Sequence, residues 1–411
     1  MTGPAVRRLA DWSPTRLRDL AAEFGTPLYV LDRERVRENY ARLSAAFPDA
    51  DVLYAAKANA GAHVLGTLAD AGAGVECASA GEVRRALDAG FDPADCHYTA
   101  VNPPADDLDY VVETAAEHPG LTVTANARDD VERLDERGFR GRFCLRVHPG
   151  VGAGHSEAVA TGADAKFGVP RREAAGVLRD AADRGFDVVG VHAHAGSGIG
   201  GEDLAEHRRV VERVGDVARA SPVPLEFVDV GGGFGVPYRP GEPPLDLDAV
   251  AAETRDALGD LDARLVVEPG RYLVADAGVL LTRVNTVKDG GSLAGVDAGM
   301  TTLLRPALYG SHHEVRNVAA DAADRATERV TVVGPVCEST DVLAADRDLP
   351  GPERGDLLAV GNAGAYGFEM ASQYNSRPRP AVVALDGGTA RVARRRETVA
   401  DLTDAEADAE P

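Results

Sequence analysis

The chain has 411 residues, 44% of them hydrophobic, and a formal net charge of −22. That length holds two domains, or one barrel with an appendage, and that apolar fraction can bury a large core. The acidic excess excludes nucleic acid as a default partner, because a phosphate backbone is neutralised by lysine and arginine.

Only three of the 44 lysines and arginines are lysine: Lys57, Lys166 and Lys288. Acid excess with scarce lysine suits a protein that works in concentrated salt, where screening tames self-repulsion, or simply an acidic cytosolic enzyme. Cys77, Cys96, Cys144 and Cys337 form no CxxC pair, as expected of reduced thiols. Residues 1–12 lack the apolar core of a signal peptide, and no run reaches membrane-spanning length, so a cytoplasmic protein without membrane partners is expected.

In chain order, Ser13-Pro14 starts a helix that Gly25 stops. Residues 26–31 read as a short strand, and 32–47 as a polar helix. From Val52, short apolar runs recur: 52–56, 74–77, 97–100, 121–124, 143–147, 188–192, 227–230 and 265–268. Segments with helical spacing lie between most of them, at 80–89, 106–117, 127–137, 171–184 and 202–220. Strands alternating with helices predict parallel βα units, and eight in succession predict a (β/α)8 TIM-like barrel. A doubly wound sheet is the competing α/β arrangement. After residue 275 the rhythm changes to strands at 279–287, 293–296, 330–333, 357–360, 381–385 and 389–392, with a hairpin turn at Asp386-Gly-Gly388. These predict a C-terminal β domain. The expected division is 26–275 for the barrel, 1–25 with 276–400 for the β domain, and 401–411 as a frayed acidic tail.

The predicted C-terminal strand ends carry Lys57, Glu76, Asn102, Asn126, His148, His194, Gly231-Gly-Gly-Phe-Gly235 and Glu268-Pro-Gly-Arg271. Barrels place their active sites at that end. A lysine desolvated at a strand end can lose its proton and attack an aldehyde, or can simply snorkel to solvent. Consecutive glycines let backbone N–H groups approach a phosphate, or make a plain tight turn. His192 and His194 share one side of a strand, which suits a metal pair or a histidine lying over a planar ring; no third ligand stands at a telling spacing. His312-His313 reads as ordinary loop. An aldehyde at Lys57, a phosphate on the two glycine loops and an acid at Glu268 together fit pyridoxal 5'-phosphate, whose ring is an electron sink when its nitrogen stays protonated.

These residues carry a resemblance. Tyr54-Ala-Ala-Lys57-Ala-Asn59, His194-Ala-Gly-Ser197, Asp229-Val-Gly-Gly-Gly-Phe-Gly235, Glu268-Pro-Gly-Arg271, Arg305-Pro-Ala-Leu-Tyr309, Gly334-Pro-Val-Cys-Glu338-Ser and Gly364-Ala-Tyr366-Gly, in that order between Gly25 and Arg377, resemble the diaminopimelate decarboxylase family. The resemblance implies a pyridoxal-phosphate barrel and a β domain joined by the N-terminal segment. It implies conversion of meso-2,6-diaminopimelate to L-lysine and carbon dioxide, the last step of lysine biosynthesis, in a homodimer with shared active sites. It implies Lys57 as the Schiff-base lysine and His194 as the residue stacked on the ring. Gly231, Gly232, Gly233 and Gly270 fall to the cofactor's phosphate, Ser197 to the cofactor, and Glu268 to the pyridine nitrogen. Arg271, Arg305 and Tyr309 fall to the substrate, Arg271 also to the cofactor, and Tyr366 to both. Cys337 becomes the proton donor and Glu338 the partner of the distal ammonium, both supplied across the dimer.

A distal carboxylate calls for an arginine fork, and Arg305 supplies one; a salt bridge at a domain interface is the other reading of Arg305. The alternatives are a decarboxylase for ornithine, arginine, lysine or carboxynorspermidine, a non-catalytic homologue, or a racemase, for which no second base can be placed. Ala195, Gly198 and the stretch Val147-His-Pro149 depart from the family pattern.

Overall fold

The computed structural model describes residues 4–150, 153–154, 167–194, 196–197, 199, 204–288, 290 and 292–406. It divides into two units, one of residues 37–236 and 244–273, the other of residues 3–36, 237–243 and 274–411.

In the first unit, Ala50–Ala55, Gly74–Cys77, Cys96–Tyr98, Thr122–Ala125, Arg142–His148, Asp187–His192, Phe227–Asp229 and Arg264–Val267 pair in parallel and in chain order. The last closes on the first through Leu265↔Ala50, Val266↔Asp51 and Val267↔Val52. This is the expected closed barrel, and each expected strand overlaps an observed one. A two-residue strand, Val169–Pro170, adds only to the edge of Arg142–His148. The helices have local causes. Ser79 accepts from the Glu82 N–H while the Glu82 carboxylate accepts from the Ala78 N–H, so the two ends of the first turn of Ala80–Asp88 satisfy each other. Sequence reading overlooked the helices Ala62–Asp70 and Leu247–Leu258, the second capped by Asp246.

Side chains alternate along each strand, and this builds the interior in layers. A Cβ on Gly74 would meet Leu53 at 2.3 Å, and one on Gly190 would meet the Phe227 ring at 2.4 Å. Those two glycines leave the space that Leu53 and Phe227 fill, in a buried cluster with Cys144, Val189 and Val266. Two residues further along the same strands stand Glu76, His192, Asp229 and Glu268, all buried. The apolar floor thus gives way to a layer of titratable groups at the C-terminal end.

In the second unit, Leu28–Asp32 runs antiparallel to Gly278–Lys288 and parallel to Ala381–Asp386. This corrects the expected division, which put residues 26–31 in the barrel; local apolar pattern names a strand but not its neighbours. The sheet buries both faces. Tyr29, Leu280 and Val284 enter one core, while Leu28, Val30, Val279 and Leu281 enter the other, with Leu9, Trp12, Leu17 and Leu20 of the N-terminal segment. Val315–Asn317 and Val342–Pro350 are further strands that sequence reading missed. The frayed tail begins later than expected. Asp401 accepts from the Thr398 N–H and from Arg395 Nη1 at 2.7 Å, and a short turn spans Ala400–Leu402. Residues 407–411 lie outside the described residues.

Candidate active site

Lys57 stands on a single helical turn, Ala56–Ala58, directly after the first barrel strand. Sequence reading left open a desolvated lysine or one that snorkels to solvent; its side chain is 42% exposed, and its Nζ meets Glu76 Oε2 at 2.9 Å. The desolvated partner is Glu76. Burial raises its pKa, partly offset by the Lys57 charge, so this carboxylate is suited to receive a proton.

His192 groups with Asp229 and Glu268 rather than with His194. His192 Nε2 lies 3.3 Å from Glu268 Oε2, and His192, Asp229 and Glu268 cluster with their ligand atoms within 4.8 Å. Burial raises the Asp229 carboxyl well above its usual range, with Glu268 adding to the rise. Burial would raise Glu268 too, but His192 and Lys57 outweigh it and hold its carboxyl well below the usual range. Burial and the neighbouring carboxylate thus favour the neutral form of Asp229, while His192 and Lys57 favour the charged form of Glu268. Glu268 Oε1 and His192 Nδ1 have no hydrogen-bond partner among the described residues. An unpartnered oxygen of a buried, ionised carboxylate suits a protonated ring nitrogen.

The glycine loop closes on this group. Gly231 and Gly233 have φ of 73° and 106°, the left-handed region that glycine tolerates. A Cβ on Gly232 would lie 2.2 Å from the Glu268 carbonyl oxygen, and one on Gly270 3.2 Å from the Cβ atoms of Ala55 and Ala58. The Gly231 N–H donates to Asp229 Oδ1 at 2.8 Å, and the Gly232 N–H to His194 Nδ1 at 3.2 Å. Those two N–H groups, expected on a phosphate, are committed inside the protein. Among the described residues no acceptor meets the N–H of Gly233 or Gly270. Because His194 Nδ1 accepts, its proton sits on Nε2. Burial, then Lys57 and Arg146, pushes its pKa down to about 3, so the ring is neutral.

Ser197 has its backbone in Gly196–Ser197, paired with Ala153–Gly154; its side chain, Ala195 and Gly198 lie outside the described residues. Arg271 opens the short helix after Gly270. Sequence reading listed Glu76 only as a rim residue and missed Arg146, whose guanidinium lies 5.0 Å from the Phe167 ring centroid. Burial lowers the Arg146 pKa, while Glu268, Glu76 and Asp229 oppose the drop, so this cation balances the acids of the layer.

The other expected residues belong to the second unit. Arg305 is buried there. Its Nη1 donates to the Tyr238 hydroxyl at 2.9 Å and meets His313 Nε2 at 3.1 Å. His313 Nδ1 lies 2.9 Å from the Gly361 carbonyl oxygen, so Nδ1 donates there. His313 is therefore a buried anchor and not ordinary loop. Tyr309 is half-buried at the end of Arg305–Tyr309. Tyr366 has φ of 54°, a strained value for a bulky side chain. Cys337 and Glu338 are exposed neighbours on a loop after Thr327–Val333.

Three sets of relatives can be set beside this geometry. Residues 33–275 match the pyridoxal binding domain of the pyridoxal-dependent decarboxylases. The diaminopimelate decarboxylase of Methanothermobacter thermautotrophicus is 46% identical over 402 residues, covering 93% of this chain and 92% of its own. That of Aquifex aeolicus is 36% identical, covering 93% and 91%. Among solved structures, diaminopimelate decarboxylase from Helicobacter pylori complexed with L-lysine superposes with a TM-score of 0.88 at 33% identity, over 94% of this chain and 98% of its own.

Proposed function

The chain belongs to the diaminopimelate decarboxylase family of pyridoxal-dependent decarboxylases, and on that premise we propose how its residues divide the work of converting meso-2,6-diaminopimelate to L-lysine and carbon dioxide. The observation that carries the reading is the unpartnered Oε1 of the ionised, buried Glu268, below a glycine loop with no room for a Cβ and one strand away from Lys57. Bound there, pyridoxal 5'-phosphate supplies an aldehyde for amines and a sink for the electrons left when carbon dioxide departs.

Lys57 is the residue that holds the aldehyde, and Glu76 takes the ammonium proton that must leave first. Glu268 Oε1 keeps a proton on the ring nitrogen; Asp229 and His192 fix the charge and direction of that carboxylate. The neutral His194 would lie against the ring, and Ser197 and Tyr366 would be further cofactor contacts. The uncommitted N–H groups of Gly233 and Gly270 hold the phosphate, with Gly231, Gly232 and Arg271 shaping the turn. Arg305, fixed by His313 and Tyr238, is the fork for the distal carboxylate, with Arg271, Tyr309, Tyr366 and Glu338 on the substrate. Cys337 returns the proton. The active form is a homodimer with Cys337 and Glu338 given across it, working in a salt-rich cytoplasm. Among the described residues no helix is long and apolar enough to cross a membrane.

The test is carbon dioxide release from meso-diaminopimelate, with L-ornithine in parallel, in molar KCl with added pyridoxal phosphate. Release from diaminopimelate alone is expected. Release from ornithine alone overturns Arg305 as the fork and keeps the cofactor chemistry. Silence from both overturns the assignment.

A further inference from the structure

The second unit contains a turn that none of the expected site residues accounts for. Residues 374–377 run beside the Cys337 loop and grip it at three points in reverse order. Arg377 Nη2 donates to the Pro335 carbonyl at 2.8 Å. Asn375 Oδ1 accepts from the Cys337 N–H at 3.4 Å and from its thiol at 3.3 Å. The Tyr374 hydroxyl donates to Glu338 Oε1 at 2.5 Å. The turn holds Asn375 and Ser376 at φ of 59° and 51°, where side chains other than asparagine and glycine rarely sit. Strain of this kind persists when surrounding contacts fix it. Here Glu397 accepts from Gln373 Nε2 and from the Arg379 N–H on either side of the turn. The gripped loop is fixed from behind by Asp341, whose carboxylate accepts from the Val336 and Met300 N–H groups.

The direction of each hydrogen bond in the contact follows from its donors. A backbone N–H can only donate, so the Asn375 atom facing Cys337 is the amide oxygen. That oxygen can only accept, so in the hydrogen bond across this contact the thiol is the donor, aimed at Asn375.

We infer that Asn375 is a positioning residue that keeps the Cys337 S–H aimed until it is used. The inference rests on the reading of Cys337 as proton donor. In the step, the S–H bond breaks and its electrons stay on sulfur. The pair left by carbon dioxide takes the proton and forms the new C–H bond. Solvent then reprotonates the thiolate, which returns to Asn375.

The experiment compares Asn375→Gly, Asn375→Asp and Cys337→Ala with the parent enzyme. Glycine keeps the left-handed backbone and removes the acceptor; aspartate keeps both. Three quantities are read: kcat against KM, lysine formed per carbon dioxide released, and iodoacetamide alkylation of the cofactor-free protein. Cys337 is the one exposed cysteine, so alkylation reports on it. For Asn375→Gly, kcat falls about tenfold with KM within about twofold. Less lysine than carbon dioxide is made, because misdirected protonation leaves the amino nitrogen on the cofactor and releases an aldehyde. Loss of the acceptor speeds alkylation roughly fivefold, and Asn375→Asp restores the lysine yield. Parent-like lysine yield and alkylation in Asn375→Gly overturn the inference. If Cys337→Ala is impaired while Asn375→Gly is not, only the role of Asn375 fails. If Cys337→Ala itself is unimpaired, the proton-donor reading fails, and the inference with it.

Discussion

Lys57 and Glu76 divide solvent unequally, at 42% and 2% side-chain exposure, across a contact of 2.9 Å. An exposed amine stays protonated, and a protonated amine does not attack an aldehyde. The buried carboxylate, with its pKa raised chiefly by burial, is the group that can take the proton. Glu76→Gln should therefore slow capture of added pyridoxal phosphate by the cofactor-free protein by roughly tenfold or more. Borohydride trapping followed by mass measurement of the Lys57 peptide gives the rate; capture as fast as in the parent would assign Glu76 to charge balance alone. Lys57 was legible because so few lysines remain in the chain. Glu76 was legible as a rim residue but not as a partner, because that depends on the register Ala55↔Glu76 between two strands. Arg146 was not legible: one arginine among many says nothing until its strand is placed and its register sets it beside His192.

Two helices of the barrel unit, Leu204–Arg219 and Leu247–Leu258, are joined by one buried polar contact. His207 Nε2 meets Thr254 Oγ1 at 2.7 Å, and that hydroxyl spends its own proton on the Val250 carbonyl. Nε2 must then be the donor, which leaves Nδ1 bare, buried and without a partner among the described residues. Burial pushes the His207 pKa down to about 4. As pH falls below the unfolded value of about 6.5, the unfolded chain takes up this proton and the folded chain does not, so the histidine's contribution is present above that pH and is lost between there and about 4. Glutamine at 207 keeps a donor near Nε2 and cannot titrate. The stability of His207→Gln relative to the parent should improve by about 3 kcal/mol between pH 7 and 4, read from urea unfolding at each pH. A constant difference would mean that His207 is protonated inside the fold. This contact was invisible in the sequence, since the two residues lie in separate helices. Val342–Pro350 was missed for a related reason. It pairs with Thr327–Val333, its middle residues Ala345 and Asp346 are exposed, and its charges break the apolar run that marks a strand. The eight barrel strands were legible because parallel strands covered by helices are apolar on both faces.

At the scale of the whole molecule the net charge of −22 acts on every element at once. Exposed ion pairs do not offset it cheaply. Arg208 alone engages Glu212, Glu253 and Asp256, leaving local acid in excess, and such surface pairs are weakened by the same salt that relieves repulsion. The two effects oppose each other, so the response to salt measures which one governs. Unpaired acids dominate when the net charge is this large, and screening should win. The melting temperature is expected to rise steeply as KCl is added up to about 0.5 M, where the screening length has shrunk to a few ångströms. A further, gentler rise beyond that point would come from salt excluded from the protein surface, which favours burial, and should be larger for potassium sulfate or phosphate than for chloride. A melting temperature that stays level or falls across the KCl series would mean that the ion pairs, and not the acidic excess, set the stability. Composition would then be a poor guide to the medium in which this enzyme works.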